Sequence, residues 1–231
     1  MGIVRSLGTR VLTPRSRARI PRILHYCWFG GTPPQEVREY IATWTAFNPG
    51  YRILDWTEAN APRSPFVDEA LALKRYALAS DYVRFAVLHR WGGIYLDTDV
   101  QVMRSFEPLL HLRCFLGFQY EPDGTPYKPH DLIVNGAVIG ARPRHAFLAE
   151  MLRRYPTSVG EAESALPAIP RSLTSALIER GLRGYSSEPV EVDGVTILPK
   201  ESFYPYFWGE EFKPELMEDS TYAVHHWAHR W

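Results

Sequence analysis

Apolar residues in this chain fall into short blocks separated by Pro-, Gly- and Asn-bearing turns, and the period within each block predicts an element. Residues 22–29 (RILHYCWF) follow Pro21 and read as a first buried strand, ended by Gly30 and Gly31. Pro33 and Pro34 then lead into a helix over 35–47. After the turn Asn48-Pro49-Gly50, residues 51–56 (YRILDW) alternate in part, as a second strand does. The block 68–91 is apolar on almost every side of a helix, through Ala70, Leu71, Leu73, Tyr76, Leu78, Tyr82, Val83, Phe85, Val87 and Leu88. A helix apolar all round is a buried one. A Gly92-Gly93 turn and a short apolar strand follow it.

Further on, 114–119 predicts a strand and 121–131 (EPDGTPYKPHD) a charged loop of the kind that handles an acceptor. Residues 132–139 (LIVNGAVI) predict a strand in which Asn135-Gly136 marks a bulge or a close ligand approach. A helix with Pro at its start is expected over 143–155, and a hairpin around Asp193-Gly194 over 190–198. The aromatic run 203–208 (FYPYFW) suits core and rim packing, with a sugar platform as the alternative. The alternation of helices and strands predicts an α/β fold, a single mixed and mostly parallel sheet flanked by helices. Ligands in such sheets sit beyond the carboxyl ends of the strands. That rim would bring Trp28 together with Asp97 and Asp99.

With 231 residues the chain suits one domain, here 21–231, preceded by a basic tail over 1–20. The tail holds Arg5, Arg10, Arg15, Arg17 and Arg19, and no acid occurs before Glu36. It reads as a plain tail, a peripheral contact with anionic lipid, or a transit peptide, and Met1-Gly2 with Ser6 also fits a myristoylation pattern. The formal net charge of +0 argues against a nucleic-acid partner. Two cysteines, Cys27 and Cys114, fit a reducing, cytoplasmic setting, with a single disulfide left open. No apolar run approaches the roughly 18 residues of a membrane span.

The chemistry concentrates in 80–100, SDYVRFAVLHRWGGIYLDTDV. Asp97 and Asp99 are two residues apart, so in extended backbone both face one side. Two converging carboxylates suit a hard cation, Mg²⁺ or Mn²⁺, whose usual further partner is phosphate. Asp81 and Arg84 share a face of the buried helix, where charges need partners. They either pair only with each other or reach the aspartates and a sugar.

The pattern S-D-x-x-R-x-x-x-L-x-x-x-G-G-x-Y-x-D-x-D stands here as Ser80, Asp81, Arg84, Leu88, Gly92, Gly93, Tyr95, Asp97 and Asp99. It resembles the Asp-x-Asp sugar-transferase family of Och1-like and capsular polysaccharide transferases (glycosyltransferase family 32), and the core of the clostridial glucosylating toxins. The resemblance implies a GT-A fold and retaining transfer of a hexose, with Mn²⁺ or Mg²⁺. The donor would be a nucleoside-diphosphate sugar, UDP- or GDP-linked, and the acceptor a hydroxyl of a glycan, lipid-linked or protein partner. It implies catalytic roles for Asp81, Arg84 and Asn135, the last equally explained by a satisfied bulge. Donor binding would fall to Trp28, Asp81, Arg84, Asp97, Arg230 and Trp231, with Trp28 stacking on the base.

The metal ligands implied are Asp97, Asp99 and one histidine of the block His225-His226-Trp227. If 222–227 is extended, only one histidine can reach the ion. The resemblance selects His226. Two departures stand out: Arg230 replaces a family Ser, and only Pro170 remains of a Thr-Gly-Pro loop. Two other classes compete, a non-catalytic sugar-nucleotide-binding module and an aspartyl phosphotransferase. The second is disfavoured by Gln101, where Thr or Val is expected.

Overall fold

The computed structural model describes residues 19–119 and 133–228. Residues 1–18, the 121–131 loop, Arg230 and Trp231 lie outside the described residues.

The strand blocks assemble into one seven-stranded sheet. β1 (Ile23–Cys27) is flanked by β2 (Arg52–Trp56) and β3 (Gly93–Leu96), both parallel to it. β4 (Val100–Val102) leaves this sheet. β5 (Cys114–Gln119), β6 (Ile133–Ala141), β7 (Val190–Val192) and β8 (Val195–Leu198) complete it in the order β2-β1-β3-β6-β5-β8-β7. β6 and β7 run against the other five strands, so the sheet is mixed and mostly parallel. β4 pairs instead with β9 (Ala223–His225) in a separate antiparallel ribbon.

The sheet divides two apolar cores, because successive strand residues point to opposite faces. On one face Cys27, Tyr95 and Ile139 pack with Val83, Phe85 and Leu88. These last belong to α3 (Tyr76–Trp91), which packs against α2 (Pro65–Ala72) and α4 (Ala146–Arg153), while α5 (Val159–Ala165) lies on α2 and α6 (Ile169–Glu179) on β6 and α4. On the other face Leu24, Ile94, Leu96 and Val138 meet Trp44 of α1 (Gln35–Phe47), together with Phe106, Phe203 and Tyr204. The run 203–208 thus splits: Phe203 and Tyr204 are core, while Trp208 is 56% exposed.

Several expectations need correction. The single helix over 68–91 is two helices, α2 and α3, divided at Lys74, whose φ of 56° is left-handed. Leu73 at the break is 55% exposed rather than buried. α2 also begins earlier, because the Ser64 hydroxyl accepts from the Val67 N–H and Pro65 opens the first turn. The helix expected over 143–155 contracts to 146–153. The basic tail cannot extend to residue 20, since Ile20 is buried and its N–H donates to the Leu110 carbonyl.

Other expectations match. β5 spans 114–119, and the turn Asp193-Gly194 has φ of 48° and 79°, as a tight hairpin requires. The irregularity in β6 falls where Asn135-Gly136 predicts it. Phe115 faces Gly140 while Gly117 faces Asn135, so β6 carries extra residues between those pairs.

Candidate active site

β3 ends at Leu96, and the Asp97 N–H is taken by the Ala137 carbonyl of the bulged β6 at 2.8 Å. A turn follows, closed by Val100 N–H to the Asp97 carbonyl at 3.1 Å. It returns the Asp99 side chain to the pocket that Asp97 lines. Convergence of the two aspartates therefore comes from a turn, not from strand pleat. The same pocket is lined by Cys27, Asp81, Arg84, Tyr95, His225 and Trp227, at the carboxyl ends of β1 and β3.

The Gly-Gly turn that launches β3 admits no side chain. A Cβ on Gly92 would lie 2.8 Å from the Pro143 nitrogen, and one on Gly93 would lie 2.6 Å from the Ile23 carbonyl. Both glycines have positive φ, 65° and 108°. Beneath them the Trp56 indole donates to His25 Nδ1 at 3.2 Å, so Nε2 carries the proton and donates to the Gly92 carbonyl at 2.8 Å. Burial lowers His25 to about 4, which keeps the ring neutral.

Arg84 sits on α3, only 6% exposed, and is held from several sides. Its Nη2 is 2.6 Å from Asp81 and 3.4 Å from Asp97, and Nη1 donates to the Gly136 carbonyl at 2.9 Å. Its guanidinium lies 4.8 Å from the centre of the Tyr95 ring. Nε has no hydrogen-bond partner among the described residues. Asp81 and Arg84 thus do more than pair with each other: Arg84 links Asp81 to Asp97. Burial would lower the Arg84 pKa, but Asp97, Tyr95 and Asp81 raise it well above its ordinary value. Burial pushes Asp81 up to about 6; Arg84 opposes this and Asp97 adds to it.

Sequence reasoning gave Tyr95 no role, although its place two residues before Asp97 is a usable signal. Its hydroxyl donates to Asp97 at 3.0 Å and lies 2.9 Å from the Ser80 hydroxyl.

The second half of the site comes from β9, whose pairing with β4 puts His225 opposite Val100. His225 Nε2 is 3.2 Å from Asp99, and the Ala228 N–H donates to the other Asp99 oxygen at 2.7 Å. Burial alone would raise the Asp99 pKa, but His225 and the Ala228 N–H outweigh it and hold the group at about 2. Trp227, with a left-handed φ of 54°, lays its ring 4.2 Å from that of His225 and lines the pocket.

Only one histidine reaches the aspartates, as alternation predicts, but it is His225 rather than His226. His226 points the other way. Its Nδ1 is 3.1 Å from the Tyr206 hydroxyl, its Nε2 is 2.9 Å from the Gln101 amide oxygen, and its ring stacks on Tyr40.

The remaining candidates lie off the pocket wall. Trp28 is half-buried just after β1 on the same rim, with its backbone N–H donating to the Trp56 carbonyl at 2.9 Å. Asn135 is 5% exposed, donates to Gln119 at 2.7 Å and accepts from the Ala137 N–H at 2.7 Å. It satisfies the bulge and thereby places the carbonyl that holds Asp97.

Among the described residues no three His, Cys, Asp or Glu side chains form a ready-made metal cage. That donor set still fits Mg²⁺ or Mn²⁺, which take one or two carboxylates and fill the shell with phosphate and water. No described helix is long and apolar enough to cross a membrane.

Residues 34–116 match the family described as the glycosyltransferase sugar-binding region containing the DXD motif. The chain is 28% identical over 145 residues to inositol phosphoceramide mannosyltransferase 3 of Schizosaccharomyces pombe, covering 60% of this chain and 38% of that protein. It is 31% identical over 157 residues to lactosylceramide 4-alpha-galactosyltransferase of Rattus norvegicus, covering 64% of this chain and 40% of the relative. The chain thus spans about two fifths of the length of these two relatives. The solved structure of PaToxG glycosyltransferase superposes with a TM-score of 0.55 at 16% identity over 70% of each chain. That likeness is one of fold, and the fold is of the GT-A type. The matched segment holds Asp81, Arg84, Asp97 and Asp99, and over it the chain resembles the DXD sugar-binding glycosyltransferases.

Proposed function

We propose that the protein is a metal-dependent, retaining hexosyltransferase. It takes a hexose from a UDP- or GDP-sugar and places it on a hydroxyl of a glycan or lipid-linked acceptor. The observation that carries this reading is the meeting of Asp97, Asp99, His225, Asp81 and Arg84 around one pocket. The relatives' names support hexose transfer, one to inositol phosphoceramide and one to lactosylceramide.

Asp97 and Asp99 would hold Mn²⁺ or Mg²⁺, with His225 as the imidazole ligand. Bound there, the ion would neutralise the charge that develops on the departing diphosphate. Arg84, kept cationic by its carboxylate neighbours, orients Asp81 and Asp97 and adds positive charge beside the donor. Asp81 accepts from hexose hydroxyls. Trp28 stacks on the base, and Arg230 with Trp231 closes on the diphosphate.

Retaining transfer is what the family resemblance implies, and the state of the carboxylates bears on its route. Asp81 is tied to Arg84, Asp97 to Tyr95 and Arg84, and Asp99 to His225 and Ala228. None of the three is unengaged as a nucleophile toward the anomeric carbon. Burial raises the Cys27 thiol to about 12, so it is protonated at neutral pH. A front-face displacement remains, in which the acceptor hydroxyl bonds to the anomeric carbon and its proton passes to the leaving phosphate oxygen.

A panel of UDP- and GDP-sugars, incubated with Mn²⁺ and read by released nucleotide, tests the reading. Release from one donor that depends on Mn²⁺ and on Asp99 is expected. A panel in which sugar nucleotides bind but none is hydrolysed or transferred would leave a binding module.

A further inference from the structure

The rim opposite the pocket is where the parallel strands begin, and it collects arginines. Arg52 opens β2 and stands in register with Ile23, just after Arg22. Arg90 lies in the last turn of the helix that leads into β3. Arg144 follows β6, with its N–H on the His89 carbonyl at 2.7 Å, and Arg113 precedes β5, with its carbonyl on the Arg142 N–H at 2.9 Å. The strands concerned are neighbours, in the order β2-β1-β3-β6-β5. At about 4.8 Å per strand the row is about 19 Å long. The side chains of Arg22, Arg52, Arg90, Arg113 and Arg144 are all exposed.

Two acids beside this row have arginine partners of their own. Glu107 binds Arg22 at 2.5 Å, and Asp193 faces Arg180 at 3.4 Å. A turn further along, Glu150 and Glu179 are held by Arg154. Arg52, Arg90, Arg113 and Arg144 make no ion pair among the described residues. α4 starts on this rim with no acid in its first turn and no side-chain cap, which adds the partial positive charge of a helix N-terminus.

The formal charge of the whole chain is +0, so this row is a segregation of charge and not a general surplus. The described chain also enters here, through exposed Arg19 and the Ile20 bond to Leu110, and the residues before it in sequence include Arg5, Arg10, Arg15 and Arg17. Phe47, 41% exposed at the end of α1 just before the turn into β2, offers an apolar contact beside Arg52.

We propose that this rim is a docking face for a bilayer surface rich in anionic lipid headgroups. A row of separate guanidinium groups along a sheet edge matches a two-dimensional array of phosphates. An exposed aromatic beside it suits the headgroup boundary. Docked this way, the protein keeps its pocket on the aqueous side. The inference rests on the charge layout alone and stands whether or not the pocket transfers a hexose.

Co-sedimentation of the full chain with phosphatidylcholine vesicles, and with vesicles containing 30 mol% phosphatidylserine (about a third of the lipid, the anionic content the surface-potential argument calls for), tests it. Binding to the anionic vesicles only, lost on raising salt severalfold, is expected. The triple variant Arg52→Gln, Arg113→Gln, Arg144→Gln should bind about a hundredfold more weakly, at about fivefold per arginine. The corresponding triple Lys variant should keep binding, which separates charge from folding, and both should melt as the parent does. A variant with Arg5, Arg10, Arg15 and Arg17 changed to Gln should keep the share of binding that the triple Gln variant loses. Equal binding to neutral vesicles, full binding by the triple Gln variant, or tighter binding to a single-stranded RNA than to anionic vesicles at the same salt would overturn the proposal.

Discussion

Arg84 divides one guanidinium among Asp81, Asp97 and the Gly136 carbonyl, with the Tyr95 ring against its plane. A lysine keeps the charge but cannot fork, so Arg84→Lys should lower donor turnover by about 10- to 100-fold, the loss of one or two charged contacts. Because the group is buried, a drop of several degrees in melting temperature should accompany it. Unchanged turnover per folded molecule would make the pair purely structural.

The histidines give a second contrast at this scale. His225→Ala should raise the Mn²⁺ concentration needed for activity about tenfold or more, the range for losing a supporting ligand interaction, while His226→Ala does less. Equal activation constants for His225→Ala and the parent would remove imidazole from the ion. The paired carboxylates also set opposite pH responses. Asp81, raised to about 6, binds more protons folded than unfolded between about pH 4 and 6, so its contribution to stability falls as pH rises through that window. Asp99, held at about 2, contributes stability that is present above its unfolded value near 4 and is lost as pH falls toward 2. Urea midpoints of the metal-free protein, taken from pH 4 to 7, should decline less for Asp81→Asn than for the parent.

Among elements, those with a strong local rule were legible in sequence. Alternation and flanking turns located β1, β2 and β5, and Asp193-Gly194 located the β7–β8 hairpin, because only small or turn-forming residues accept consecutive positive φ. The break between α2 and α3 was not legible. Lys74 has no sequence mark of a left-handed residue, and apolar Leu73 suggested continuity although it points to solvent. β4 was missed because three residues carry too little pattern and its partner β9 lies more than a hundred residues away. The same distance hid the choice between His225 and His226, since strand register across a ribbon is a tertiary fact. The meeting of Asp81, Arg84, Asp97 and Asp99 around one pocket was legible because one helix, one turn and one strand hold all four.

Element geometry also yields a paired test. Gly93→Ala places a Cβ 2.6 Å from a backbone oxygen at φ 108°, and should destabilise by about 2 kcal/mol or more, read as a lowered urea midpoint. Gly160→Ala in α5 meets nothing within 4 Å and has ordinary helical φ, so it should stabilise by roughly 0.5–1 kcal/mol. If both variants lose stability equally, the tight turn beneath β3 is not special.

At the scale of the whole molecule the pocket lies between two parts that also share the apolar core on one face of the sheet. One is the main sheet with α3, which supplies Asp81, Arg84 and Asp97. The other is the β4–β9 ribbon, which supplies His225 and locks on through the His226 N–H to the Asp99 carbonyl at 2.9 Å. A ligand bound between them should stabilise the whole fold, because it binds the folded chain and not the unfolded one. At a hundred times its dissociation constant that gain is about 2.7 kcal/mol. For a domain of this length it corresponds to roughly 5–10 °C in melting temperature. Mn²⁺ added with UDP or with GDP should therefore raise the melting temperature of the parent by several degrees for the matching base. Asp99→Asn should abolish the rise, since it removes the charge at the junction of both parts. The triple Gln variant of the opposite rim should keep it in full. A rise that survives in Asp99→Asn would place the ion away from the aspartate pair, and the joint between sheet and ribbon would then be structural only.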